Sequence, residues 1–219
     1  MVQGVIFDMD GLMFDTEPVW GSCWELVIAE HGFEVPDGLL NEVRGCSGDT
    51  VCAVLRRFLG ADVPAEEIWE REKQLACKTL LEQGAPKKPG LDDLLEYLHD
   101  FVVPMAVASA SPKEIILHNL RRAGLERYFD VVVSGEGLSS GKPDPLIFLE
   151  TARLLGTSPA RTLVLEDSAN GVTAAHRGGF ACVMIPDLEQ PSAEVEAMAN
   201  AVVDSLDQVI DLLESGSFG

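Results

Sequence analysis

Val5-Ile6-Phe7-Asp8-Met9-Asp10-Gly11 is the stretch on which the fold turns. Val5, Ile6 and Phe7 form a short apolar, partly β-branched run, the pattern of a buried strand. Gly11 breaks the chain behind it and leaves Asp8 and Asp10 where the strand ends. In an open α/β sheet that edge is where ligands bind. Side chains alternate faces along a strand, so Asp8 and Asp10, two residues apart, can point the same way. Paired carboxylates repel unless a cation or a proton separates them. The pair therefore suits a hard metal ion and one acid able to exchange a proton. Taken alone, the seven residues fit an Asp-rich turn capping the next helix equally well.

Outward from this stretch, no strand pattern returns until about Val102. Thr16 or Asp15 reads as a helix N-cap with Pro18 in the first turn. Trp20, Trp24, Val27 and Ile28 then recur at helical spacing up to His31. Thr50–Leu59 and Ala65–Leu81 are also helical by pattern. Residues 15–82 thus form an all-helical insert, closed by the breaker Gly84-Ala85-Pro86-Lys87-Lys88-Pro89-Gly90. From there strand and helix alternate. Strands are expected at Val102–Ala108, Val131–Ser134, Thr162–Leu165, Ala181–Ile185 and Ala201–Val203. Helices are expected at Leu91–His99, Lys113–Ala123, Pro143–Leu155, Ala169–Gly178 and Leu206–Ser215. This alternation predicts an α/β doubly wound, Rossmann-like parallel sheet over 1–14 and 83–219, carrying the helices of 15–82 as a second, smaller domain.

The chain has 219 residues, 47% of them apolar and 24% charged, enough for such a core plus an insert. Its formal net charge of −20 argues against nucleic acid or an anionic membrane as partner. An anionic substrate would have to be drawn in by a metal and a few placed cations. The five cysteines show neither CxxC nor zinc spacing, as expected of buried thiols in a reduced compartment. No basic leader precedes the first strand, and no apolar stretch is long enough for a membrane span. A soluble cytoplasmic protein is expected. No extra apolar stripe calls for a partner, so a monomer is expected too.

The polar residues gather where the apolar strands stop. Besides Asp8 and Asp10 these are Ser109, after Val107-Ala108, and Glu166-Asp167, after Leu163-Val164-Leu165. In a parallel sheet these ends share one edge, and the convergence favours a Mg²⁺ site of oxygen ligands over four carboxylates left to repel. Asp167 or Ser168 can also cap the helix from Ala169. Ser109 can donate its hydroxyl to a phosphate oxygen, aided by the amide of Ala110, or satisfy its own turn. Lys142, in Gly141-Lys142-Pro143, stands beside a helix start, a poor place for a cation unless an anion binds there. Other motifs fail. Asp8-Met9-Asp10-Gly11 lacks the third ligand of an EF-hand loop, and no P-loop is present. Gly45-Cys46-Ser47-Gly48 misses the hydrolase elbow because Asp49 stands where glycine is required.

In order along the chain, Asp8-Met9-Asp10-Gly11, Ser109, Lys142 with its flanking Gly141 and Pro143, and Glu166-Asp167 resemble the four motifs of the haloacid dehalogenase-like hydrolase superfamily. The helical insert resembles the cap of its β-phosphoglucomutase-like branch. The resemblance implies that Asp8 is the nucleophile and a metal ligand. Asp10 is then the general acid/base and offers its backbone carbonyl to Mg²⁺. Ser109 and Lys142 hold the phosphoryl group, and Glu166 and Asp167 complete the metal site. Having Asp10 favours phosphate chemistry, because dehalogenases of the superfamily lack that second aspartate. The chain departs from a true β-phosphoglucomutase at Trp20, where the family has histidine, and at Gly48, where it has a phosphate-binding arginine. Arg44, Arg71 and Lys73 are the remaining candidate cap cations, with solvated helix faces as the alternative. Trp20 and Trp24 read as cap core, and Trp20 also as a wall of the substrate pocket. The expected function is Mg²⁺-dependent hydrolysis of a small phosphorylated metabolite, a sugar or polyol phosphate, through an aspartyl phosphate. A phosphosugar mutase and a catalytically silent phosphate-ester-binding module are the alternatives.

Overall fold

The computed structural model describes residues 2–44, 46, 48–188 and 190–218. Gly45 and Ser47 of the rejected elbow motif lie outside the described residues. Six strands, all paired in parallel, form one sheet: β1 (Gly4–Phe7), β2 (Met105–Ser109), β3 (Val131–Ser134), β4 (Thr162–Glu166), β5 (Ala181–Met184) and β6 (Ala201–Val202). Their order is β3-β2-β1-β4-β5-β6. The chain winds outward from β1 in both directions, so the strand order reverses beside β1. A crevice opens at such a switch point.

Alternation along the strands builds an apolar layer on each face. Val5, Phe7, Leu163 and Leu165 pack on one side, while Ile6, Val164 and Ala106 pack on the other. The helices covering these layers are α5 (Leu91–Asp100), α6 (Lys113–Ala123), α7 (Leu146–Leu155), α8 (Ala169–Arg177), α9 (Ala193–Met198) and α10 (Gln208–Glu214).

Between β1 and α5 run α1 (Glu17–Glu30), α2 (Leu39–Val43), α3 (Asp49–Leu59) and α4 (Ala65–Gln83). They share an apolar cluster of their own in which Trp24, Val27, Ile28, Leu55 and Ile68 meet. The outgoing and returning connections lie side by side: Asp15 N–H donates to Pro86 O, and Lys88 N–H to Met13 O, both at 2.9 Å. Among the described residues no helix is long and apolar enough to cross a membrane.

Two element starts lie three residues beyond the sequence expectation. β2 starts at Met105 rather than Val102, because α5 runs on to Asp100 and Phe101-Val102 make the turn. Val102 is 84% exposed with φ at +56°, a conformation that strains a β-branched residue. α7 starts at Leu146 rather than Pro143, since Asp144 and Pro145 form the turn before it. The short helices α2 and α9 were below the length at which periodicity is legible.

Candidate active site

The site is built where β1, β2 and β4 end. Asp8 follows β1 directly, and its N–H donates to Leu165 O on β4 at 3.0 Å, which fixes it on the sheet edge. Gly11 turns the chain back with φ at +80°, and a Cβ there would lie 2.3 Å from Asp167 Oδ2. Glycine is thus required twice over at this position, by conformation and by the close approach of Asp167.

Lys142, 2% exposed, reaches under this edge and bridges two acids: it donates to Asp8 Oδ1 at 2.5 Å and to Glu166 Oε1. Glu166 Oε2 accepts from the N–H of Asp167 and of Ser168 and from the Ser168 hydroxyl. Both carboxylate oxygens are therefore committed. Glu166, expected as a metal ligand, turns its side chain inward here and orients Lys142. Gly171 makes that possible, since a Cβ on it would fall 1.8 Å from Glu166 Oε1. Ser168, one of the two expected caps, caps α8 by accepting from Gly171 N–H at 3.1 Å.

Asp10 is gripped by four donors. Oδ1 accepts from the Thr16 hydroxyl at 2.8 Å and Trp20 Nε1–H at 3.1 Å, and Oδ2 from the Ser109 and Ser111 hydroxyls at 2.9 and 2.7 Å. Thr16, expected as a helix cap, makes no side-chain capping bond and serves Asp10 instead. Ser109 also accepts from Ser111 N–H at 3.0 Å, which locks the turn after β2.

The electrostatics follow from crowding acids in a dry place. Burial, helped by Glu166 and Asp10 and opposed by Lys142, pushes Asp8 up to about 8. Burial pushes Asp167 well above the carboxylate range, with Glu166 and Asp8 adding to it. Burial would lower Lys142, but the charges of Asp8 and Glu166 outweigh it and hold the ammonium above the ordinary lysine value. A cation beside Asp8 and Asp167 would reverse the shifts of both acids.

The family model for haloacid dehalogenase-like hydrolases matches residues 5–185. The chain belongs to this family. As a haloacid dehalogenase-like hydrolase it is an enzyme of the phosphatase kind. It is 31% identical to a phosphorylated carbohydrates phosphatase of Thermotoga maritima, over 97% of this chain and 99% of that protein. It is 34% identical to a probable pseudouridine-5'-phosphatase of Drosophila melanogaster, over 94% of this chain and 90% of that one. Among solved structures, β-phosphoglucomutase of Clostridium difficile superposes with a TM-score of 0.81 at 22% identity, covering all of this chain and 97% of the other. At that identity the likeness is one of fold.

In this hydrolase the edge opens into a cavity of about 440 Å³ between the sheet and the inserted helices. Asp8, Asp10, Ala110, Lys142 and Asp167 line its floor; Trp20 and Arg44 line it from the insert. Arg44 donates to Glu17 at 2.7 Å, and Lys73 to Glu70 at 2.9 Å while standing over the Trp69 ring. Arg71 pairs with Glu30 on the exposed surface and does not line the cavity. Sequence reasoning missed Ser111 and the Trp20–Asp10 bond. It also missed Asn170 of α8, whose Nδ2 donates to Arg44 O at 3.1 Å and ties the insert to the core. A second serine two residues past a strand-end serine was the available signal for Ser111.

Proposed function

We propose that the chain hydrolyses phosphoric monoesters of a small hydroxylated metabolite, a sugar or polyol phosphate, through an aspartyl phosphate on Asp8, with the helical insert of residues 15–82 as a cap over the core (1–14 and 83–219). The observation that carries this reading is the Lys142 bridge between Asp8 and Glu166 on the floor of a cavity that Asp10 also lines.

Asp8 Oδ attacks phosphorus and the ester P–O bond breaks. Asp10 gives a proton to the departing alkoxide, then takes one from the water that attacks the aspartyl phosphate, releasing phosphate and free Asp8. Lys142 holds a phosphoryl oxygen and offsets its charge, a contribution that dominates phosphoryl transfer. The Ser109 and Ser111 hydroxyls, parked on Asp10 Oδ2, turn to the phosphoryl oxygens when substrate arrives. Ala110 supplies its amide. That exchange leaves Asp10 Oδ2 free to handle the proton of the leaving group.

A metal fits the donor set. Asp167 Oδ2 is buried without a hydrogen-bond partner, and the donors are all oxygen. Among the described residues no three acid, histidine or cysteine side chains make a ready cage, which agrees with Mg²⁺ keeping several waters and few carboxylates. Asp8, the backbone carbonyl of Asp10 and Asp167 would hold Mg²⁺, which when bound neutralises charge on the transferring group.

The lining cations of the cap, Arg44 and Lys73, are already paired with Glu17 and Glu70. A second phosphate would find little welcome there, which favours release to water over return to a sugar. The test is phosphate release from sugar, polyol and nucleoside monophosphates with Mg²⁺ and with a chelator. Metal-dependent release supports the reading. Interconversion of a hexose 1-phosphate and 6-phosphate without release would overturn it.

A further inference from the structure

Glu72 sits on α4, in the wall of the same cavity, yet is only 1% exposed. Its Oε1 has no hydrogen-bond partner among the described residues. Burying a carboxyl without a partner is costly, and such a cost persists where the group serves a ligand. No lysine or arginine pairs with it among the described ion pairs. The tryptophans Trp20, Trp24 and Trp69 line the same cavity. Apolar walls with one convergent polar group are how a pocket orients a small ligand.

We propose that Glu72 is the specificity residue of the cap, hydrogen-bonding a hydroxyl of the alcohol that leaves phosphate. The proposal rests on the monoesterase reading above and adds which end of the substrate the cap reads. Burial, with the charge of Glu17 adding to it, holds the Glu72 carboxyl well above the ordinary glutamate range. A neutral acid both donates and accepts, which matches a hydroxyl. The nearby cap cations Lys73 and Arg44 are paired with Glu70 and Glu17 rather than open to a second phosphate, and an ammonium would call for the ionised form. The tryptophan side chains offer apolar surface for the carbon skeleton of a polyol.

The test compares wild type, Glu72→Gln and Glu72→Leu on a hexitol 6-phosphate, n-hexyl phosphate and 6-aminohexyl phosphate. Glu72→Leu is expected to lose about tenfold in kcat/KM on the hexitol ester, mostly through KM, and several-fold less on the hexyl ester. Glu72→Gln, a neutral isostere, is expected to retain the hexitol ester within about threefold. Equal losses on the hexitol and hexyl esters, or no loss on the hexitol ester, would overturn the proposal. So would a wild-type preference for the aminohexyl ester that Glu72→Gln abolishes. Calorimetric binding of the three esters to Asp8→Asn, with and without Glu72→Leu, reads the same difference without turnover. Absence of phosphate release from wild type therefore sinks the hydrolase reading, while the binding difference decides Glu72 separately.

Discussion

The indole Nε1–H of Trp20 donates to Oδ1 of Asp10 at 3.1 Å, so the first inserted helix holds the proposed general acid of the core. A hydrogen bond to a charged group contributes about 1.5–3 kcal/mol. Trp20→Phe keeps the ring and loses this donor. The expected result is a fall in kcat of about tenfold or more, with KM nearly unchanged and the melting temperature within a few degrees of wild type. An unchanged kcat would mean that the bond has no part in turnover.

Lys142 lies between two buried acids, and Lys142→Met would leave Asp8 and Glu166 uncompensated. Breaking a buried pair costs about 3–5 kcal/mol. In a chain of this length each kcal/mol lowers Tm by about 2–4 °C. Thermal unfolding without metal should show a drop of about 6–20 °C, together with loss of phosphate release. Adding Glu166→Gln to Lys142→Met should recover part of the stability and none of the activity.

Gly171 offers a cleaner probe of Lys142 orientation, since it touches neither the cavity nor Asp8. In Gly171→Ala the methyl would collide with the Glu166 carboxylate, which must leave Lys142 or push α8 outward. Small-to-large changes in packed sites cost about 1–3 kcal/mol. Phosphate release is expected to fall more steeply than stability. Full activity in Gly171→Ala would show that Glu166 need not hold Lys142.

Glu72 also makes a pH signature. Its folded-state value is raised above the ordinary 4.5 by burial, so the folded chain keeps a proton that the unfolded chain gives up. Stability therefore falls as pH rises above that ordinary value, by at most about 1.4 kcal/mol per pH unit. Glu72→Gln removes this loss. Its Tm should match wild type near pH 4 and exceed it by a widening margin toward neutral pH, as read by unfolding across buffers. A constant margin would mean that Glu72 titrates normally.

Much of this was legible in the sequence because the strands are short, apolar and buried on both faces. Val5–Phe7 and Thr162–Leu165 therefore read as strands, and the acids after them as a shared edge. Asp8, Asp10, Ser109 and Lys142 come together as expected. The direction of the Glu166 side chain depends on Gly171 and on two backbone amides, which no spacing rule encodes. Val102 was read into a strand because β-branched composition said so; the α5 terminus overrode it. The Trp20–Asp10 bond and the place of Glu72 depend on the way the inserted helices sit on the core, a long-range relation that periodicity does not carry.

The central claim is that Asp8 is the nucleophile, and Asp8→Asn tests it with the least change of shape. We would measure phosphate released from a good monoester substrate by wild type and Asp8→Asn, with saturating Mg²⁺ and unfolding curves for both. The account expects release by wild type, none by Asp8→Asn, and a folded variant that still binds the ester. Release by a folded Asp8→Asn at the wild-type rate would contradict it.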